Sequence, residues 1–440
     1  MRILFVLPEL PHPPYTADHA RPLALLRAAA DSHEVAAVGA APDDADLGAL
    51  EELCAEVRVA PAGKVTPARR TTLAAGRGLL SPVPLVGAGR LPAVETLVEE
   101  LAEAWRPDAM LAETLYAAHY RRSDVRLVVD LPLVPSGLCE SAAAARPVRY
   151  LAANLQAATS RRHERRLLDG ALVVTGNDGD RQRLATLGVE SYIIPPAIDL
   201  PPEDALYQRA AGARHDAAVR LLFIGSFAHA NNREAARWLT GRLAPELRAA
   251  RVPFAMVVAG LRAPTWLRKA AGAGVTVISD APDLEPLYRG ADIVLAPLQH
   301  GGGTKTKTLE AMAWGLPVIG TPQAYTGLPQ LDGEAFLVTK PDPLTVVRQI
   351  EALRDDPERR LNLGMAAREY VAREHAPQLA AARAAALFEA VAAGGGVAEA
   401  EQLARRGAAD DSVSRPAAGT TRMRGGSRPR GRPAGPIQAT

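Results

Sequence analysis

Short apolar runs recur along the chain, separated by stretches in which apolar residues return every three or four positions. Residues 3–7, 33–38, 109–111, 127–129, 172–175 and 192–194 form one series of such runs. A second series starts afresh with 221–225, 254–259, 275–278, 293–296, 318–320 and 335–338. Strands that are apolar along their whole length belong to parallel sheets covered on both faces. Segments such as 232–243 and 366–371 carry the helical period expected of the covering layers. The pattern predicts an α/β chain of two doubly wound, Rossmann-like domains.

The break between the series falls at 195–218, where Pro195, Pro196, Pro201 and Pro202 stand in a polar mixture. The expected organisation is a first domain over 1–200, a linker over 201–218 and a second domain over 219–375. A helical segment over 376–400 and a basic tail over 401–440 follow. Residues 374–392 read as one helix or a helix pair, and 61–90 as a loop with a short helix.

Composition narrows the class. At 440 residues, 48% hydrophobic and 23% charged, the chain is globular rather than disordered or fibrous, with room for two or three domains at roughly 150 residues each. Only 4% is aromatic, so the core is built from Ala, Val, Leu and Ile. Two cysteines, Cys54 and Cys139, exclude a disulfide framework and a thiolate metal site. No apolar run reaches the 18 or so residues of a membrane span. The first run is stopped by Pro8 and reads as a strand rather than a signal peptide. These features point to a cytoplasmic protein, with peripheral membrane contact left open. The net charge of +2 hides an asymmetry, because 405–440 carries eight arginines against two aspartates, so the remainder is −4. That tail buries too little to offset chain entropy and reads as disordered. Its composition favours a solvated extension over a nucleic-acid contact.

Candidate chemistry concentrates after the run at 293–296. There the sequence reads Gly301-Gly302-Gly303-Thr304-Lys305-Thr306-Lys307-Thr308-Leu309-Glu310-Ala311-Met312-Ala313-Trp314-Gly315. A glycine turn leads from a strand end into a helix that Gly315 can close. Ligands of doubly wound sheets bind beyond the strand carboxyl ends, and a helix N-terminus there suits a pyrophosphate. The chain has five lysines, and two of them, Lys305 and Lys307, fall in this turn. Lys307 and Glu310 share one helix face at a spacing of three. A cation for phosphate and a carboxylate for paired hydroxyls equip a site for a nucleoside diphosphate. The plain alternative is that the glycines serve helix–sheet packing and the two side chains pair with each other.

This segment, with Pro317-Val318-Ile319-Gly320-Thr321, resembles the donor-binding signature of family 4 glycosyltransferases with the GT-B fold, in the branch reading GGGT-x-x-K-x-LEAM. The resemblance extends to Phe223-Ile224-Gly225-Ser226 and to Asp283-Leu284, spanning about residues 1–375 and strongest over 221–338. It implies a nucleotide-sugar donor bound by Gly225, Ser226, Gly301, Gly302, Gly303, Thr304, Lys305, Lys307 and Glu310. Lys307 would meet the phosphates and Glu310 the ribose. It implies transfer to an acceptor hydroxyl with retention, without metal and without a cofactor beyond the donor. The first half departs from the family. Ala17-Asp18 stands where it has Gly-Gly, Pro196-Ala197 where it has Asn-Gly, Glu113 where many members have a histidine, and Gly302 where the usual first glutamate lies.

Catalysis on this reading is electrostatic, with Lys305, Lys307 and the helix start stabilising the departing diphosphate. Glu113, just past a strand end, is the candidate to orient or deprotonate the acceptor, and a surface glutamate is its plain alternative. Asp18, His19 and His119 are weaker candidates, and Asp130 reads equally as a cap. The spacing in Asp43-Asp44-Ala45-Asp46 sits in a polar turn and carries no metal role. Two other readings stay open: a non-catalytic homologue that binds nucleotide sugar or a partner enzyme, and another GT-B enzyme such as an epimerase. The first half shows no acid/base cluster in its sequence that argues for the latter.

Overall fold

The apolar runs become the strands of two parallel sheets in a computed structural model of the chain, which describes residues 1–13, 17–61, 92–145, 150–202 and 218–414. The first sheet contains β1 (Arg2–Glu9), β2 (Glu34–Ala41), β3 (Glu56–Pro61), β4 (Ala109–Glu113), β5 (Arg126–Leu131), β6 (Leu172–Thr175) and β7 (Ser191–Ile193). Their order is β3-β2-β1-β4-β5-β6-β7. Around it lie α1 (Ala17–Ala30), α2 (Gly48–Leu53), α3 (Pro92–Trp105), α4 (Thr114–Ala117), α5 (Pro135–Ala145), α6 (Tyr150–Leu168) and α7 (Asp178–Ala185). β1 shows why these runs are continuous. Ile3, Phe5 and Leu7 enter one buried cluster with Leu26, whereas Leu4 and Val6 enter another with Val98 and Leu101. Alternate side chains point to opposite faces, and both faces are covered.

The second sheet contains β8 (Val219–Ile224), β9 (Phe254–Gly260), β10 (Val275–Ser279), β11 (Ile293–Ala296), β12 (Val318–Gly320) and β13 (Leu337–Val338), in the order β10-β9-β8-β11-β12-β13. Its helices are α8 (Ala230–Trp238), α9 (Ala244–Ala249), α10 (Thr265–Arg268), α11 (Glu285–Gly290), α12 (Thr306–Ala313), α13 (Pro343–Asp355) and α14 (Pro357–Glu374). A π-turn, Leu239–Leu243, joins α8 to α9.

Several expectations shift. β3 was not predicted, because its charged Glu56 and Arg58 interrupt the apolar run at a sheet edge. At 335–338 only the last two residues pair as a strand, while Ala335 and Phe336 are buried ahead of it. Over 374–392 the chain leaves α14 at Glu374 and forms one helix, α15 (Pro377–Ala392), with Pro377 in the first turn, where a proline costs no helical hydrogen bond. α15 returns to the first domain, where Leu387 and Phe388 join the β1 cluster and the Phe388 ring lies 6.1 Å from Phe5. α16 (Val397–Ser414) then runs past residue 401, where the tail was expected to begin, so residues 405–414 are helical rather than disordered. The reason is an apolar stripe, Val397, Ala400, Leu403 and Ala404, packed on that same cluster.

The chain passes between the domains at two adjacent places, and His375 ties them. Its Nδ1 donates to the Pro196 carbonyl at 3.1 Å, and its carbonyl accepts from the Ile198 amide at 2.9 Å. Arg368 adds a bond from Nη2 to the Pro201 carbonyl at 2.7 Å. Most of the expected linker (203–217), the irregular stretch 62–91 and the tail 415–440 lie outside the described residues.

Candidate functional site

In each sheet the strand order reverses direction once, between β1 and β4 in the first and between β8 and β11 in the second. At such a point the connections diverge to opposite faces and leave a crevice beyond the strand ends. The second crevice is bounded by Gly225 and Ser226 after β8 and by the glycine run after β11. The elements named from sequence therefore converge there.

Lys307 reaches across this crevice. Its ammonium donates to Oδ1 of Asn232 and lies 5.1 Å from the Phe223 ring centre. Asn232, buried on α8, is itself held by a bond from Nδ2 to the Ser226 carbonyl at 2.8 Å. A Cβ on Gly225 would come within 2.7 Å of the ammonium and 2.8 Å of the Asn232 amide, so glycine here makes room for the cation. Burial pushes the Lys307 ammonium down to about 7, helped by the like charge of Lys305 and opposed by Glu310. Glu310, one turn along α12, accepts from the Tyr288 hydroxyl at 2.9 Å. Burial raises its carboxyl above the usual range, against the Tyr288 bond and Lys307. Tyr288 stacks on Trp314, with ring centres 5.9 Å apart and planes 12° from parallel. The Lys307 and Glu310 side chains thus hold separate neutral partners rather than a bond to each other. α12 begins after Lys305, which gives it no side-chain cap; the Thr308 amide bonds the Lys305 carbonyl at 2.9 Å, and the amides ahead of it are left for a ligand.

Lys305 is placed differently. It is buried and donates to the Gly302 and Gly303 carbonyls, both at 2.6 Å, folding back beneath the glycine loop. Burial lowers its ammonium to about 8, opposed by Asp180 of the first domain. The loop itself abuts that domain. Gly303 has φ 64°, and a Cβ there would lie 2.7 Å from the Pro132 carbonyl oxygen. The Gly301 amide donates to Ser141 Oγ at 3.1 Å, and Asn177 Nδ2 donates to Thr304 Oγ1 at 3.2 Å. His300 pairs with Glu234 at 2.9 Å at the start of the loop.

In the first crevice, Glu113 ends β4 and is buried beside Asp130 in strand register. Asp130 is not a cap: it is fully buried and accepts from Nε and Nη2 of Arg21, each at 2.7 Å. His119 lies on the short turn after α4, and the Asp18 side chain lies outside the described residues. Asp46 bonds the Gly48 amide at 3.1 Å, so its acidic run serves a turn as expected. One cluster went unseen: Glu9, His12 and His19 converge where β1 ends, their ligand atoms within 4.8 Å of one another. Asn232 and Tyr288 were also missed. They come from separate elements, and no local spacing links them to α12.

Among the described residues no helix is long and apolar enough to cross a membrane. Residues 218–356 match the model of the family described as glycosyl transferases group 1. No curated protein matches the sequence. Solved structures are similar over most of the chain. Sucrose-phosphate synthase from Thermosynechococcus elongatus superposes with a TM-score of 0.65 at 17% identity, covering 90% of this chain and 100% of that one. The Anabaena HepE protein in complex with UDP gives 0.59 at 16%, covering 89% and 100%. A glycosyltransferase from Rickettsia africae gives 0.57 at 11%, covering 89% and 98%. At such identities the likeness speaks for the fold. The chain is a two-domain GT-B protein whose second domain matches the group 1 glycosyltransferases.

Proposed function

We propose that this chain moves a sugar from a nucleoside-diphosphate sugar to an acceptor hydroxyl, with retained configuration and with no metal or cofactor in the transfer step. The observation that carries the reading is the Lys307 ammonium, half-buried beside the uncapped start of α12 with a neutral amide as its acceptor. A diphosphate there would supply the countercharge, and the ammonium would stabilise the leaving group as charge develops on it. Glu310, oriented by Tyr288, would accept from the ribose hydroxyls. Gly225, Ser226 and Gly301 through Thr304 would line the donor. Lys305 would act indirectly, by shaping the glycine loop. Glu113, across the cleft, would orient or deprotonate the acceptor. The UDP in the HepE structure supports a uridine nucleotide as the first donor to try.

A second reading, donor binding without transfer, is favoured by the first domain. The Pro196 carbonyl is committed to His375, and Ala17-Asp18 occupies the usual Gly-Gly position. A panel of UDP-, GDP- and TDP-sugars scored for binding, slow hydrolysis and product identity separates the readings. Transfer or hydrolysis supports the enzyme, binding without turnover supports the second reading, and an isomerised donor supports an epimerase. Binding to none of them contradicts all three.

A further inference from the structure

We propose that Glu9, His12 and His19 form a zinc-binding site at the carboxyl end of β1, with a fourth coordination position left for water or a hydroxyl oxygen. Glu9 Oε1 lies 3.5 Å from His12 Nε2 and 3.7 Å from His19 Nε2. These separations are long for hydrogen bonds but suit ligands of one tetrahedral ion, which at zinc–ligand lengths of about 2.0–2.1 Å stand roughly 3.3 Å apart.

Two further observations point to an ion. His12 Nδ1 lies 3.0 Å from the Pro13 carbonyl, which can only accept, so Nδ1 carries the proton. In the neutral ring this leaves the Nε2 lone pair facing a carboxylate oxygen, and Nε2 is buried without a hydrogen-bond partner. A cation between them turns that repulsion into two bonds. The Nδ1 bond to a carbonyl is also the outer-shell contact that metal-binding histidines use. His19 is 5% exposed, and its Nδ1 is likewise buried and unpartnered. A buried imidazole lacking good bonds at either nitrogen is costly, and ligation at Nε2 offsets the cost. Two imidazoles and one carboxylate fit zinc among the common biological ions. The cluster lies where β1 ends, at the first sheet's crevice between β1 and β4, and shares no residue with the proposed donor site.

The test is zinc stoichiometry in the full chain after equilibration and removal of excess metal. The wild type should retain about one zinc per chain, and His12→Ala/His19→Ala should bind it more weakly by well over about tenfold while still binding nucleotide. Loading the wild type with cobalt(II), which needs no variant, should give the visible bands of a four-coordinate site. Substoichiometric zinc in the wild type, equal zinc in the variant, or a cobalt spectrum like that of the hydrated ion would overturn the site. None of these readouts depends on glycosyl transfer.

Discussion

The ammonium of Lys307 donates to Oδ1 of Asn232, so the cation that reaches across the second crevice is held by an uncharged side chain. With its titration pushed down to about 7, part of the population is neutral near physiological pH. An incoming diphosphate favours the charged form and raises that value. Nucleotide binding should therefore take up protons above pH 7. Affinity should be level below pH 7 and fall by up to about tenfold per pH unit above it. Calorimetry in buffers of different ionisation enthalpy reads the uptake, and pH-independent affinity between 6 and about 9 contradicts it.

The same burial makes Lys307 a cost in the free protein. Its folded value lies below the ordinary 10.5, so the unfolded chain binds more protons between the two and stability rises with pH across that window. Lys307→Met should raise ligand-free stability by about 1–3 kcal/mol at pH 7 and below, discounted for the part of the side chain that faces the cleft. The gain should fade as pH rises toward 10.5, and the variant should lose nucleotide binding. Urea unfolding at pH 6 and pH 9 measures this, and a destabilised variant contradicts it.

Gly225→Ala should separate the site from the fold. The added methyl meets the Lys307 ammonium and the Asn232 side chain, both of which can move at the expense of the site. Nucleotide affinity should fall by at least about tenfold, with stability changed by less than about 1.5 kcal/mol. Gly260→Ala should differ, because its Cβ would lie 1.9 Å from the Gly225 carbonyl oxygen. That contact is with backbone, so unfolding should cost more than about 3 kcal/mol less than in the wild type. Equal behaviour of the two variants contradicts the assignment.

Arg21 and Asp130 form a buried bidentate pair, and Arg21 also bonds the Ile194 carbonyl at 2.7 Å. Asp130→Asn removes the bonded carboxylate from a buried guanidinium, leaving only the charge of Glu113 near it, and should destabilise the protein by about 3–5 kcal/mol. Denaturant unfolding tests this, and a loss below about 1 kcal/mol would show that the pair has little structural weight.

How much of this was legible in the sequence follows from where each signal resides. β1 and β11 stood out because both faces of each strand are buried, so no polar residue interrupts the run. β3 did not, because an edge strand tolerates Glu56 and Arg58. Lys307 and Glu310 were found because one helix carries both at a readable spacing. Their partners Asn232 and Tyr288 reach them only through tertiary structure. Lys305 looks equivalent to Lys307 in sequence, yet it stands two positions earlier, at the N-cap of α12, and its side chain turns under the loop instead of across the crevice. Glu9, His12 and His19 follow no metal-motif spacing, since a strand end and a helix start bring them together. The available hint is that His12 and His19 lie seven positions apart just after the β1 run.

Whether the second crevice holds a nucleotide sugar is decided by calorimetric titration of UDP, GDP and TDP sugars into the wild type, Lys307→Ala and Glu310→Ala. The wild type should bind at least one donor saturably, and both variants should lose that binding while still unfolding cooperatively. No binding by the wild type, or undiminished binding in both variants, would contradict a nucleotide-sugar site there.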